Sequence, residues 1–239
     1  MEITYLLPYL EEHMKKALIV IVVLVAATMA CSLLSPKVEP TSNPPVQVLP
    51  TVQVQNNALF SDDFSNSGSG WDQVNEDVKI TDYANGGYRM WLSETQYDIW
   101  ANPAQSFSGP VNIEVDAKKV AGPEDNDFGI ICNYQDVDNY YVGLVSSDGF
   151  AAISKRQAGT SNYISSDQMV PVTGVNPGSA DNHLRFECNN GDLTLYANGN
   201  QVAYANDTSF SNGDVGLQVG TFGEGGVDML FDNFVVTKP

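Results

Sequence analysis

From Val74 to Val236 the chain is a series of short apolar runs cut by Gly, Asn, Asp and Ser, a punctuation that leaves little room for a helix. The runs are Val74–Asp82, Gly87–Leu92, Tyr97–Ala101, Val111–Val120, Asp127–Tyr134, Tyr140–Ser146, Phe150–Lys155, His183–Cys188, Asp192–Ala197, Gln201–Ala205, Gly213–Phe222 and Val227–Val236. Between residues 59 and 239 no convincing helix appears, and what repeats is this short strand pattern. The breaks Asn85-Gly86-Gly87, Ser147-Asp148-Gly149, Asn189-Asn190-Gly191 and Asn198-Gly199-Asn200 supply residues that tolerate positive φ in hairpins. About twelve strands exceed what an immunoglobulin-like sandwich uses. The pattern therefore predicts an all-β domain over residues 59–239, a two-sheet antiparallel jelly-roll β-sandwich.

What precedes the domain reads as an address. Lys15 and Lys16 lead into Ala17–Ala30, 14 residues of which all but Thr28 are apolar, and Cys31 follows. A membrane-spanning helix needs roughly 17–25 apolar residues. The apolar region of a secretory signal needs only about 7–15. Ser32, Ser35, Pro36 and Lys37 stop the run from extending. Residues 1–30 are thus expected to be a signal peptide. Its true start is expected at Met14, because Glu2, Glu11 and Glu12 sit badly ahead of the basic pair. Thr28-Met29-Ala30-Cys31 resembles a bacterial lipoprotein cleavage site at Ala30 and Cys31, though not at Thr28 and Met29, and makes Cys31 the candidate lipidation site. Ordinary secretion or a retained anchor are the alternatives. Residues 31–58 hold Pro36, Pro40, Pro44, Pro45 and Pro50, and read as a disordered tether. In polyproline II form its 27 residues after Cys31 would reach roughly 80 Å.

Charge and cysteine usage suit an extracytoplasmic, cell-envelope protein. Of 29 acidic and 11 basic residues, residues 1–30 hold three and two, so 26 acids face nine bases in the remainder. Such a surface repels nucleic acid, which binds Lys and Arg by counterion release. It also repels anionic headgroups, so attachment to a membrane must come from the N-terminal segment. With Cys31 carrying lipid, Cys132 and Cys188 are left as an even pair, each in a strand-like run. A disulfide between them is the expectation in an oxidising compartment. Two buried free thiols are the alternative.

Several stretches resemble the concanavalin A-like lectin/glucanase superfamily, including its laminin-G-like members. They are Phe60-Ser61-Asp62-Asp63-Phe64 with Gly70-Trp71, Val115 to Val120, Asp127 to Asp136, Asn139-Tyr140-Tyr141 and Ser146-Ser147-Asp148-Gly149. Leu193 to Gly199, Gly213-Asp214-Val215-Gly216-Leu217 and Phe231-Asp232-Asn233-Phe234 continue it, so the likeness spans nearly all of 59–239. The resemblance implies the sandwich fold and carbohydrate, from a cell wall or the environment, as the leading ligand class. A structural or adhesion module holding a cell-surface protein is the alternative, and a glycoside hydrolase a further one.

The catalytic reading is tested by one pattern. A glucanase branch of the superfamily carries Glu-x-Asp-x-Glu on a strand, all three carboxylates on one face. Here the nearest match is Glu114-Val115-Asp116-Ala117-Lys118, whose third carboxylate is Lys118. No catalytic residue is assigned on that basis. Glu114 and Asp116 are expected to face solvent, opposite Val111, Ile113, Val115 and Ala117. One histidine, His183, follows residue 30, which leaves no His-rich zinc site. Gly220 to Gly226 reads as a hairpin connection.

Binding is better supported. The candidate ligand-binding residues are Trp91, Trp100, Tyr141 and Arg156, since aromatic faces with polar neighbours stack on sugar rings. Period-two alternation in Tyr140-Tyr141-Val142-Gly143-Leu144 is read with Tyr140, Val142 and Leu144 inside and Tyr141 on the other face. No cofactor is required. Ca²⁺ is the one ion the acidic loops Glu124 to Asp127 and Asp136 to Asn139 could take, with Asp125 and Asp127 as candidate ligands; a merely solvated loop is the plainer reading.

Overall fold

A computed structural model describes residues 57–239; the expectations for the signal segment, Cys31 and the tether fall before that range. Seventeen strands follow one another. The first nine are β1 (Ala58–Asp62), β2 (Val74–Asn75), β3 (Lys79–Ala84), β4 (Gly87–Leu92), β5 (Asp98–Ala101), β6 (Ser106–Ser108), β7 (Val111–Ala121), β8 (Asn126–Asp136) and β9 (Asn139–Val145). The rest are β10 (Phe150–Gln157), β11 (Thr160–Tyr163), β12 (Val170–Pro171), β13 (Asn182–Asn189), β14 (Asp192–Ala197), β15 (Asn200–Asn206), β16 (Asn212–Thr221) and β17 (Val227–Thr237). Among the described residues there is no α-helix, and so none long and apolar enough to cross a membrane.

All twelve expected strands are present, with Val74–Asp82 split into β2 and β3. The additional ones, β1, β6, β11 and β12, are short or polar and lack the alternation that would announce them. The turns behave as their residues dictate: Asn85-Gly86, Asn190-Gly191 and Asn198-Gly199 all have positive φ.

Two antiparallel sheets form the sandwich. One has nine strands in the order β15-β14-β13-β7-β17-β4-β3-β2, with β1 also on β17. The other has eight, in the order β11-β10-β9-β8-β16-β5, with β12 on β10 and β6 on β16. Strand β7 shows the rule of the core. Val111, Ile113, Val115 and Ala117 are buried, while Asn112, Glu114 and Asp116 are turned outward, as expected. Burying each of Val111, Ile113 and Val115 stabilises by about 1.5–3 kcal/mol, and the Ala117 methyl by less. The sheets are joined covalently by a disulfide from Cys132 on β8 to Cys188 on β13, 56 residues apart.

The Asp62-Asp63-Phe64 and Asp232-Asn233-Phe234 stretches meet in one corner, where Asp62 pairs with Phe234 across β1 and β17. Asp62 accepts hydrogen bonds from the Trp71 indole Nε1 at 3.0 Å and the Phe64 backbone N at 2.8 Å. Trp71 packs on Phe64, Tyr88 and Phe234 with ring centroids 4.9–5.2 Å apart. These residues close the end of the core.

Strand β9 reverses the expected orientation. Tyr141 points between the sheets, with Cys132 and Phe186 in the same core. Tyr140, Val142 and Leu144 occupy the outer face of the eight-stranded sheet, under Trp100, Tyr134, Tyr163 and Met169. The period of two holds and its sign is inverted, because β9 is covered on both faces and neither is polar.

Candidate functional site

The outer face of the eight-stranded sheet carries a hollow of about 400 Å³. Its floor comes from alternate residues of adjacent strands: Asp98 on β5, Gln218 on β16, Asp127 on β8, Tyr140, Val142 and Leu144 on β9, and Ser154 and Arg156 on β10. One wall is the segment through β11, which contributes Ser161, Asn162, Tyr163 and Asp167. A second hollow of about 310 Å³ shares Tyr163 and Phe222 with the first and adds Asp125, Asp148, Phe150 and Met169. The two make one trough.

At the bottom of the trough two carboxylates converge. Gly220 on β16 is in register with Asp98 on one side and Asp127 on the other. A side chain at position 220 would stand between them. With none, both Oδ1 atoms lie within 2.6 Å of the point a Cβ would occupy. Asp127 is 4 % exposed, and its Oδ1 has no hydrogen-bond partner. Burial raises the Asp127 carboxyl to about 8, the Asp98 charge adds to this, and Gln218 opposes it. Burial also raises Asp98, against the pull of Arg156. Two like charges this close cannot both ionise freely, so the pair tends to keep a proton.

Aromatic and polar groups frame the pair. Tyr140 donates a hydrogen bond to Gln218 Oε1 at 3.1 Å. Its ring stacks on Tyr134 at 5.6 Å and lies 6.4 Å from Trp100. Arg156 is held in place by bonds from its Nε to the Val137 carbonyl at 2.9 Å and from a terminal nitrogen to Ser161 Oγ at 3.3 Å. The arrangement offers the half-buried Tyr163 ring, several hydroxyl and amide partners and one acidic centre.

The expected site residues separate. Trp100 and Arg156 belong to the eight-stranded sheet's outer face. Trp91 lies on β4 of the other sheet, beside Asp228, and cannot join them there. Tyr141 is buried in the core, where its hydroxyl bonds Asp207, so it offers no surface to a ligand. Asp125 lines the second hollow and Asp127 the first, in the two parts of the same trough. Among the described residues no three His, Cys, Asp or Glu side chains are grouped to hold a metal. Glu114 and Asp116 sit on the far sheet, half-exposed, with His183 between them at 3.2 and 2.7 Å. Lys118 pairs with Asp181 at 3.1 Å.

Asp98, Gln218 and Gly220 were not anticipated from the sequence. Asp98 alternates with the inward Ile99 and Ala101, so it shares a face with Trp100, and that signal was available. Nothing in the sequence pairs it with Asp127.

No family model matches the sequence, and neither does any curated protein. Solved structures do match in shape. The carbohydrate-binding module CBM66 from Bacillus subtilis aligns with a TM-score of 0.56 at 21 % identity, over 71 % of this chain and 96 % of that one. A Bacillus subtilis protein of unknown function with a galectin-like fold aligns at 0.56 and 8 % identity, over 76 % and 96 %. Bacillus licheniformis beta-glucanase aligns at 0.52 and 14 % identity, over 75 % and 98 %. At such identities the likeness speaks to fold alone: the domain is a two-sheet antiparallel jelly-roll sandwich, the fold these structures share.

Proposed function

We propose that this domain binds carbohydrate in the trough on the outer face of its eight-stranded sheet, and that it does so outside the cytoplasm on a lipid-anchored tether. The observation that carries the reading is the trough itself: a hollow of about 400 Å³ with the half-buried Tyr163 ring on its wall beside Arg156, Ser161, Asn162 and the Asp98–Asp127 pair, over a floor of buried Tyr140, Val142 and Leu144. Sugar rings need apolar faces for stacking and paired acceptors and donors for hydroxyls, and both are supplied. The name of the CBM66 neighbour is consistent with this use of the fold. A glycan array followed by calorimetry tests it. Tyr163→Ala is expected to weaken binding by about tenfold, near 1.4 kcal/mol. Failure of every glycan to bind the wild-type chain would sink the reading.

A second reading is favoured by the carboxylate pair alone. One proton-holding and one ionised carboxyl at a groove floor is the equipment of glycoside hydrolysis. It requires release of reducing sugar from a bound glycan, abolished by Asp98→Asn and by Asp127→Asn.

A further inference from the structure

Resting on the carbohydrate reading, we infer that the Asp98–Asp127 pair receives a ligand ammonium, so that the trough selects a sugar bearing a free, unacylated amine. Three observations converge on it. Asp127 is more than nine-tenths buried, faces the hollow, and leaves Oδ1 without a donor. An unpartnered buried oxygen is costly and calls for a donor from the ligand. The absence of a side chain at Gly220 lets both carboxylates close in over it, each Oδ1 within 2.6 Å of one point, so that a single donor group in the hollow can reach both. The trough also has one sign of charge: Asp98, Asp127, Asp167, Asp125 and Asp148 line it against Arg156 alone. Arg156 does not fill the role, since its bonds go to Val137 and Ser161.

A hydroxyl would donate to one oxygen and leave the repulsion between the carboxylates in place. An ammonium has three donors and a charge. It satisfies both carboxylates and removes the reason for the pair to hold a proton. Binding of an ammonium therefore expels that proton, and binding of a neutral sugar does not. The other titratable groups around the pair are Arg156, Asp167, Tyr140 and Tyr163. The tyrosines are raised by burial and stay neutral, so they contribute no proton.

The experiment is calorimetry on the full chain at mildly acidic pH, in two buffers of different ionisation heat. The probes are the hexasaccharides of glucosamine, N-acetylglucosamine and glucose, with oligolysine as a fourth. The expected result is glucosamine hexamer bound at least about tenfold more tightly than the two neutral sugars, with proton release. Asp127→Asn is expected to lose both the preference and the proton release with no fall in its thermal midpoint. Gly220→Ala, whose Cβ would displace both carboxylates, is expected to lose the preference as well. Equal binding of all three sugars would leave the carbohydrate reading standing and overturn the ammonium inference. Binding of none of them would overturn both, and oligolysine binding in their place would assign the trough to a cationic peptide.

Discussion

A carboxyl at position 127 costs the fold something that an amide would not. Its side chain is buried and one oxygen goes unbonded, so its charge is opposed by desolvation and by Asp98. The folded state therefore holds a proton up to about 8, while the unfolded chain releases it near 3.8. Between those values the folded state binds more protons than the unfolded one, so stability falls as pH rises. Below the lower value both states are protonated and nothing is lost. Asp214, raised by burial to about 6, adds a slope of the same sign. Asp207, held down chiefly by its bonds to Lys155, Ser209 and Tyr141, contributes stability that disappears only in strong acid. Asp127→Asn should accordingly raise the unfolding midpoint at pH 8 and flatten the decline from pH 4, leaving the portions due to Asp214 and to Asp98, which burial also raises. Urea unfolding across that range, wild type beside the variant, checks it; parallel slopes would count against the ionisation. Little of this was visible beforehand. Asp127 and Gly220 each fall at the edge of an expected strand, Asp127–Tyr134 and Gly213–Phe222, and each also belongs to an expected loop or hairpin connection. Both are strand residues, and only strand register, which the sequence does not specify, brings them together.

At the level of the strand, β9 and the segment through β11 decide what the trough is. Alternation along β9 was legible, but its direction was not, because both faces are apolar. The discriminating feature is size. Gly143 shares Tyr141's face, and a Cβ there would meet Leu195 at 2.9 Å and Phe186 at 3.1 Å across the sandwich. The face with the glycine is the one pressed against the other sheet. Residues 158–170 gave no strand signal, since their polar residues are not spaced by two, yet they build the wall that carries Tyr163. The two adjacent tyrosines should therefore answer differently to substitution. Tyr141→Ala opens a cavity in the core and removes a partner of Asp207, for a loss of about 3–5 kcal/mol. Tyr140→Phe removes one hydrogen bond to Gln218 at the trough floor and should cost only about 1 kcal/mol of stability. Its effect should appear in ligand affinity instead. Chemical unfolding and calorimetry on the two variants separate these outcomes, and equal destabilisation would contradict the orientation of β9.

For the molecule as a whole, two covalent features matter: one within the sandwich and one proposed ahead of it. The Cys132–Cys188 bond ties β8 of one sheet to β13 of the other across 56 residues. Closing a loop of that length stabilises by about 4 kcal/mol in the chain-entropy model. Replacing both cysteines by alanine should lower stability by about that much, read from denaturant midpoints, with a jelly roll still formed because the apolar core is unchanged. Such a bond also agrees with the compartment proposed from the N-terminal segment. Strand β1 begins at Ala58 and pairs with β17, so the domain takes up the chain directly after the proline-rich stretch. A folded, strongly acidic domain has no affinity of its own for anionic headgroups. Retention at a membrane would then depend on the acyl chains at Cys31, with Pro36 to Pro50 as the spacer. Cys31→Ser should release the protein into the medium with its thermal midpoint and glycan affinity intact. Mass spectrometry of the wild-type mature N-terminus should find a lipid-modified Cys31. An unmodified start at another residue, or continued membrane retention of Cys31→Ser, would replace the lipid anchor with ordinary secretion or an uncleaved apolar segment.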